Sequence, residues 1–322
     1  MPLKFSVGEV PHTKPYHFAD LAELMILVPL ASQVSKADLE GLITTGNQDS
    51  DPDPEIFDHC DDAIDQNSRA ERSSEDCFRQ LIYRQGALDE LYPFTVADSL
   101  LVPRQQIGVA GYLYLFCLIC SRLASFSGQK GFAQRCARLF TELAAVALRA
   151  SLKESAIVYV FDAGSEDRAT HFDTNLREAL RKLAKLLNAS HDEELVSQQS
   201  TSGDGGLDLV AINTLGCKAK GIFAYFGQCA AQQNGWPRKT LEAKRSAAFF
   251  MMGHPASNLL YTPVMYRNAT GRWVNDLYST DCVIFDRLRI MKALQPVLDN
   301  IPPVLLGQIR AVVDDAASAL VA

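Results

Sequence analysis

The sequence GDGGLDLVAI, from Gly203 to Ile212, joins a glycine-rich turn directly to an apolar run with the composition of a β-strand. The run IFAYFGQCA, from Ile222 to Ala230, has the same composition and predicts a second strand. Only a short turn-like segment, TLGCKAKG, separates the two. We therefore expect the two strands to lie side by side in one sheet.

The segments on either side alternate between helix and strand patterns. Apolar residues at helical spacing between Phe172 and Leu187 predict a one-sided helix. The other segments are a strand at Ala156–Phe161, a helix that begins at Trp236-Pro237 and runs to Met251, a strand at 258–266 that Pro263 places at a sheet edge, and a mostly helical tail from Cys282.

The first half of the chain has a helical pattern from about Ala19 to Leu152. The acidic, proline-containing segment Asn47–Glu75 predicts an exposed loop within it. The apolar run from Ile107 to Cys120 spans only about 21 Å as a helix, too short for a bilayer, so we interpret it as a buried core helix. These patterns predict a helical domain at residues 1–152 and a mixed domain at 153–322 that ends in a helical extension.

The composition is that of an ordinary globular protein. The chain has 322 residues, of which 48% are hydrophobic and 21% charged, which excludes fibrous and low-complexity classes. The formal net charge of −7 means that nucleic acid would need a local basic groove or a partner's help.

The cysteines and the N-terminus bear on the compartment. Cys117 and Cys120 form a CxxC inside the apolar run, and no second CxxC accompanies them, so free buried thiols are expected. The first residues lack the pattern of a secretory signal. The sequence predicts a cytoplasmic protein without a membrane partner.

The order helix, strand, strand, helix, strand, with GDGGLDLVA opening one strand and FGQCAA ending the next, resembles the PD-(D/E)XK nuclease superfamily, and Mrr-type restriction endonuclease domains in particular. The resemblance covers Ser151 to Arg267, about a third of the chain. It implies an α/β (mixed α+β) fold, with a small mixed sheet flanked by helices. It also implies a metal-dependent DNA endonuclease that leaves 5′-phosphate and 3′-hydroxyl ends.

The resemblance assigns roles to residues that suit this chemistry. Phosphodiester hydrolysis needs a hard cation, and Mg²⁺ or Mn²⁺ takes oxygen ligands from carboxylates and amides. Asp208 would bind the metal, and Gln228 on the adjacent strand would complete the coordination. Many members also present a glutamate from a helix, for which Glu178 is our choice, with Glu166 and Asp173 as rivals.

One position departs from the family pattern. Gln-x-Lys would place a lysine at residue 230, where this chain has Ala230. Either the site is inactive or the lysine has moved to the following helix, where Lys239 is the better candidate and Lys244 the reserve. Each of the proposed site residues, taken singly, also has an ordinary structural interpretation. The Asp204-Gly205-Gly206 segment, for example, alone predicts no more than a turn.

Basic side chains flank the predicted site, at Arg177, Arg181, Lys182, Lys185, Lys218, Lys220, Arg238, Lys239, Lys244 and Arg245. They suit either a DNA-binding groove or solvated helix faces. The resemblance also implies a restriction or anti-phage setting with an ATPase or helicase-like partner. The competing hypothesis is a catalytically inactive subunit that has kept the fold for assembly or DNA sensing.

Overall fold

A computed structural model describes residues 1–46, 62–152, 154–217 and 219–321. The chain forms two compact units. The first unit comprises Met1–Phe132, Val264–Val274 and Gly307–Ala322, and the second comprises Ala133–Pro263 and Asn275–Leu306. This division differs from the predicted boundary between residues 152 and 153, because most of the helix at Phe132–Ser151 belongs to the second unit and the C-terminal segment returns to the first.

The first unit is mostly helical, as the sequence predicts. Its helices are α1 Pro15–Leu27, α2 Lys36–Gly46, α3 Asp62–Leu88 and α4 Val109–Ser121. It also holds short strands that the sequence analysis did not predict: β1 Lys4–Phe5, β2 Val34–Ser35, β3 Phe94–Ala97, β4 Leu100–Pro103 and β5 Phe126–Ser127. They form two three-stranded sheets, one in the order β2-β4-β3 and one in which β1 lies between β5 and β13, Leu320–Val321.

The predicted loop at Asn47–Glu75 is wrong in its second part. Residues 47–61 lie outside the described residues, and α3 begins at Asp62. Side chains at helical spacing on α3 are buried, among them Ala70, Cys77 and Leu81. This narrow apolar face stabilises a helix whose overall composition is polar.

Helix α4 is the predicted buried core helix, and the residues from Leu113 to Ser121 are buried along it. Its Cys117 and Cys120 are free thiols. Among the helices of the described residues, none is long and apolar enough to span a membrane.

The second unit is built on a five-stranded mixed sheet with the strand order β12-β11-β9-β8-β6. These strands are β6 Ile157–Val160, β8 Leu209–Asn213, β9 Phe223–Cys229, β11 Ser257–Tyr261 and β12 Val283–Phe285. Strands β6, β8 and β9 are antiparallel neighbours, whereas β9, β11 and β12 run parallel. A separate pair joins β7 Ser190–His191 to β10 Phe250–Met251.

The helices of this unit are α5 Phe132–Ser151, α6 Leu176–Leu186, α7 Glu193–Gln198, α8 Glu242–Ser246 and α9 Arg287–Leu294, followed by α10 Pro303–Ala317, which passes into the first unit. The apolar face of α6 shares one buried cluster with β8 and β9, including Leu180, Val210 and Phe226. This confirms the predicted strands at 156–161, 207–212 and 222–230 and the one-sided helix between the first and second of them. The mixed fold class is also confirmed.

Two predictions in this unit are wrong. The helix expected from Trp236 to Met251 is broken into a 3₁₀ segment, Trp236–Leu241, then α8, then a 3₁₀ turn, Ala247–Phe249. Strand β11 is not at the edge, because it pairs with both β9 and β12. Pro263 lies beyond the end of the strand, where no ladder hydrogen bond is lost.

Candidate metal centre

The candidate site lies where β6 ends and β8 begins. Strands β6 and β8 pair up to Val160 opposite Leu209, and beyond this pair the N–H of Phe161 donates to the Asp208 carbonyl at 2.7 Å. On its other side, Asp208 N–H donates to the Gly227 carbonyl of β9 at 2.9 Å. Asp208 is thus held between the ends of two strands.

Three carboxylates meet at this point. One oxygen from each of Asp162, Asp204 and Asp208 lies within 4.8 Å of the others. Asp162 directly follows the β6 segment and accepts from Gly164 N–H at 3.1 Å. Asp204 lies in the turn before β8 and accepts from Gly206 N–H at 2.8 Å. This spacing suits a divalent cation with oxygen ligands.

The glycine turn positions Asp204 against α8. Gly206 has a φ of +81°, which favours glycine, and a Cβ there would lie 3.3 Å from the Ser246 hydroxyl oxygen. The buried Ser246 hydroxyl donates to the Gly205 carbonyl at 2.5 Å. The turn therefore does more than reverse the chain, since it fixes one of the three carboxylates.

Asp208 has an unusual protonation equilibrium. Burial raises the pKa of its carboxyl from 3.8 to about 7. The hydrogen bond from Cys229 N–H, 2.6 Å long, and the charge of Lys239 lower this pKa, while Asp204 and Asp162 raise it. A cation at this point would favour the ionised form and release a proton.

Gln228 lies between the two β9 residues that bond Asp208. Its side chain is only 3% exposed, and its Oε1 has no hydrogen-bond partner within the described part of the chain. A buried amide oxygen without a partner is costly. The structure thus brings Gln228 of β9 next to Asp208 at the start of β8, and its role as a ligand stays a prediction.

The two candidate lysines have different surroundings. Lys239 is half-buried in the Trp236–Leu241 segment, and its charge lowers the pKa of both Asp208 and Cys229. The neighbouring Thr240 carbonyl accepts from the Asn258 amide of β11 at 2.5 Å, which ties this segment to the sheet. Lys244 is exposed and pairs with Asp281 at 3.0 Å. The geometry favours Lys239.

The carboxylate predicted on a helix is not part of the three-carboxylate group. Glu178 lies on the exposed side of α6 and accepts from Arg181. Of its rivals, Glu166 is exposed, and Asp173 pairs with Lys182 at 3.1 Å. Asp162 takes the place that we had assigned to a helix residue.

Cys229 contributes its backbone to the site rather than its thiol. Burial raises the pKa of this thiol well above its usual value, and Thr141 hydrogen-bonds to it. The thiolate is the reactive form of cysteine, so this residue is not a nucleophile here.

Arg168 holds the backbone segments that carry the carboxylates. Its side chain is fully buried, lies 4.4 Å from the centre of the Phe161 ring, and donates to the carbonyl oxygens of Phe161, Asp173 and Gly203 at 2.9, 2.6 and 3.3 Å. It thereby links the end of β6 to the turn before β8. Burial lowers the pKa of Arg168, and the carboxylates of Asp204, Asp162 and Asp173 raise it.

Replacing Arg168 with Met should destabilise the protein by about 3 kcal/mol or more, because three carbonyl oxygens, among them that of the buried Phe161, lose a charged donor. Urea unfolding monitored by circular dichroism measures this change. The matched control is Arg245→Met, since Arg245 is exposed and this change should cost less than about 0.5 kcal/mol. Equal free energies of unfolding for the two variants would contradict the supporting role of Arg168.

Two of the four basic side chains of α6 are paired with acids on the same surface. Arg181 pairs with Glu178 and Glu193, and Lys182 with Asp173. Lys218 lies outside the described residues. Within the part that the structure describes, no ion pair is formed by Arg177 and Lys185 of α6, by Lys220, or by Arg238, Lys239 and Arg245 in the segment that follows β9.

The sequence analysis missed Asp162 and Arg168 and interpreted Asp204 only as a turn residue. Asp162 had a readable signal, because an acidic residue directly after an apolar strand often lies at a sheet edge where ligands bind. Arg168 had none, since its role depends on hydrogen bonds to backbone carbonyls, which no sequence pattern reveals.

No protein-family model matches this chain, and no curated protein or solved structure matches it at a significant level. The case for function therefore depends on the site itself.

Proposed function

We propose that the second unit is a Mg²⁺- or Mn²⁺-dependent deoxyribonuclease whose metal is held by Asp208, Asp162 and Asp204, with Gln228 as a neutral ligand. The single observation that carries this proposal is the meeting of three carboxylate oxygens within 4.8 Å of one another at the sheet edge beside Lys239. Glu178, which pairs with Arg181 on the exposed side of α6, is not one of the proposed ligands.

Electrostatics support a cation at this point. Three carboxylates so close together repel one another, and the burial of Asp208 adds a desolvation cost for its charge. Gln228 adds an amide oxygen that has no hydrogen-bond partner among the residues that the structure describes. A divalent cation would offset both costs.

Each residue of the site has a separate role in the proposed phosphodiester hydrolysis. When bound, a divalent cation polarises a phosphoryl oxygen and makes water a better nucleophile. The carboxylates hold their positions through Gly164, Gly206 and Cys229 N–H groups. The Lys239 ammonium would stabilise negative charge that develops on the phosphate. The neutral Gln228 limits the negative charge facing the substrate.

DNA as the substrate, and an ATPase or helicase-like partner, follow from the family resemblance. The net charge of −7 and the pairing of Arg181 and Lys182 with acids reduce the positive surface available for DNA. Such a protein gains DNA affinity most simply from a partner.

Ala230 favours the second candidate, a catalytically inactive subunit for assembly or DNA sensing. The two candidates differ in one assay, in which the full chain, alone and with the proteins encoded beside it, is incubated with plasmid DNA in Mg²⁺ or EDTA. Cleavage in Mg²⁺ that stops in EDTA supports the nuclease. Intact DNA in every mixture favours the inactive subunit.

Lys239→Met should lower the cleavage rate by about a hundredfold or more, because a charge next to the reacting phosphate is lost. Lys244→Met is the matched control and should leave the rate within about twofold, since Lys244 pairs with Asp281 at an exposed position. Single-turnover cleavage of a labelled duplex measures both. A larger loss for Lys244→Met would reverse the assignment.

A further inference from the structure

The first unit contains a cavity of its own, with a volume of about 430 Å³. It lies at the start of α1 and is lined by residues of α1 and α3 and of the segment 264–274. This volume is within the usual range for small-molecule sites. Nothing in the proposed nuclease chemistry uses it.

Gln80 gives the cavity an unsatisfied donor. This α3 side chain lines the cavity and is only 1% exposed. Its Nε2 has no hydrogen-bond partner among the described residues. A buried amide nitrogen without an acceptor is destabilising, and an acceptor on a ligand would offset this cost.

The charges around the cavity favour an anion. Lys14 and Arg267 both line it, and Lys14 is also the N-cap residue of α1. Among the described residues no side chain caps this helix end, so the positive end of the helix dipole faces the same region. Asp76 is the opposing charge, and Arg79 lies 3.7 Å from its carboxylate.

The rest of the lining is suited to a flat apolar body. Tyr16 packs edge-on against Tyr266, with ring centres 5.4 Å apart, which holds its ring in place. Pro15, Ala269 and Val274 complete an apolar wall. Arg267 is oriented by its stacking over the Trp273 ring at 4.4 Å and by its bond to the Gly271 carbonyl at 2.9 Å.

We propose that this cavity binds a small organic anion, in which a phosphate or carboxylate group meets Lys14, Arg267 and the Gln80 amide while a flat apolar body packs against Tyr16. The proposal is independent of the nuclease activity. It makes the first unit a ligand-binding unit.

The test is isothermal titration calorimetry of the full chain with phenyl phosphate, benzoate, inorganic phosphate and phenol. Phenyl phosphate or benzoate should bind with 1:1 stoichiometry and at least tenfold more tightly than either inorganic phosphate or phenol. Comparison of the first two probes identifies the preferred head group, and tighter binding of either supports the proposal.

Variants assign the binding to the cavity. Gln80→Leu and Lys14→Met should each weaken binding of the preferred probe by about tenfold or more, while Lys130→Met, an exposed change elsewhere in the same unit, should leave it unchanged. Gln80→Leu removes an unpaired donor, so its thermal midpoint should not fall. Absence of binding by all four probes, equal binding of phenol, or unchanged binding in Gln80→Leu would overturn the proposal.

Discussion

Asp208→Asn is expected to reduce Mg²⁺-dependent DNA cleavage by about a thousandfold or more. The change keeps the size of the side chain, and the amide oxygen can still accept from Cys229 N–H, which lies 2.6 Å from the carboxylate. It removes one of the three negative charges of the group formed with Asp162 and Asp204. A neutral amide is a much weaker ligand for a hard divalent cation than a carboxylate.

The matched control for this prediction is Asp299→Asn. Asp299 is an exposed aspartate of the same unit, and its replacement should leave the cleavage rate within about twofold. Initial rates of plasmid nicking at several Mg²⁺ concentrations measure both variants. If Asp208→Asn cleaved as fast as the wild type, Asp208 would not bind the metal.

The second large effect concerns stability without metal. The pKa of Asp208 is about 7 in the folded protein and close to 3.8 in an unfolded chain. Between these values the folded state binds the proton that the unfolded state has lost, so the free energy of unfolding decreases as pH rises. The loss begins near pH 4, is complete near pH 7, and amounts to about 4 kcal/mol at most.

In EDTA at pH 8, Asp208→Asn should therefore be more stable than the wild type, by up to about 4 kcal/mol, and this difference should vanish near pH 4. Urea unfolding at pH 4, 6 and 8 measures it. Added Mg²⁺ at pH 8 should stabilise the wild type and not the variant, because only the wild type has the full set of ligands. A wild type that is the more stable protein at pH 8 in EDTA would contradict the raised pKa.

A loss of stability from ionised Asp208 is expected if this carboxylate is part of a functional site. A buried carboxylate with two others nearby costs stability, and evolution retains it only where activity repays the cost. The same argument applies to the unpartnered Oε1 of Gln228.

The sequence predicts the strands around the candidate site well, because local patterns determine them. Apolar runs with the composition of strands define β6, β8 and β9, and the order of strand and helix brings Lys239 close enough for its charge to lower the pKa of Asp208. The prediction fails where tertiary contacts decide. Pro263 indicated an edge position for β11, but this strand pairs with β12, a three-residue strand that is too short to recognise within an apolar tail.

Among the proposed metal ligands, too, some could be predicted from local sequence and others depend on tertiary contacts. Asp208 follows from a motif, whereas the meeting of Asp162 with Asp204 depends on a turn that Arg168 anchors from the other side. Hydrogen bonds from one side chain to the backbone carbonyls of Phe161, Asp173 and Gly203 leave no periodic trace in a sequence. Composition was also misleading at α3, where a narrow buried face outweighs a polar average.

The most direct measurement is an anomalous difference map from crystals of the full chain grown with Mn²⁺. Our account predicts a single strong peak in the second unit, within coordination distance of carboxylate oxygens of Asp162, Asp204 and Asp208, and its disappearance in Asp208→Asn crystals. A map without a peak at these carboxylates, from crystals in which Mn²⁺ is bound elsewhere or not at all, would contradict it.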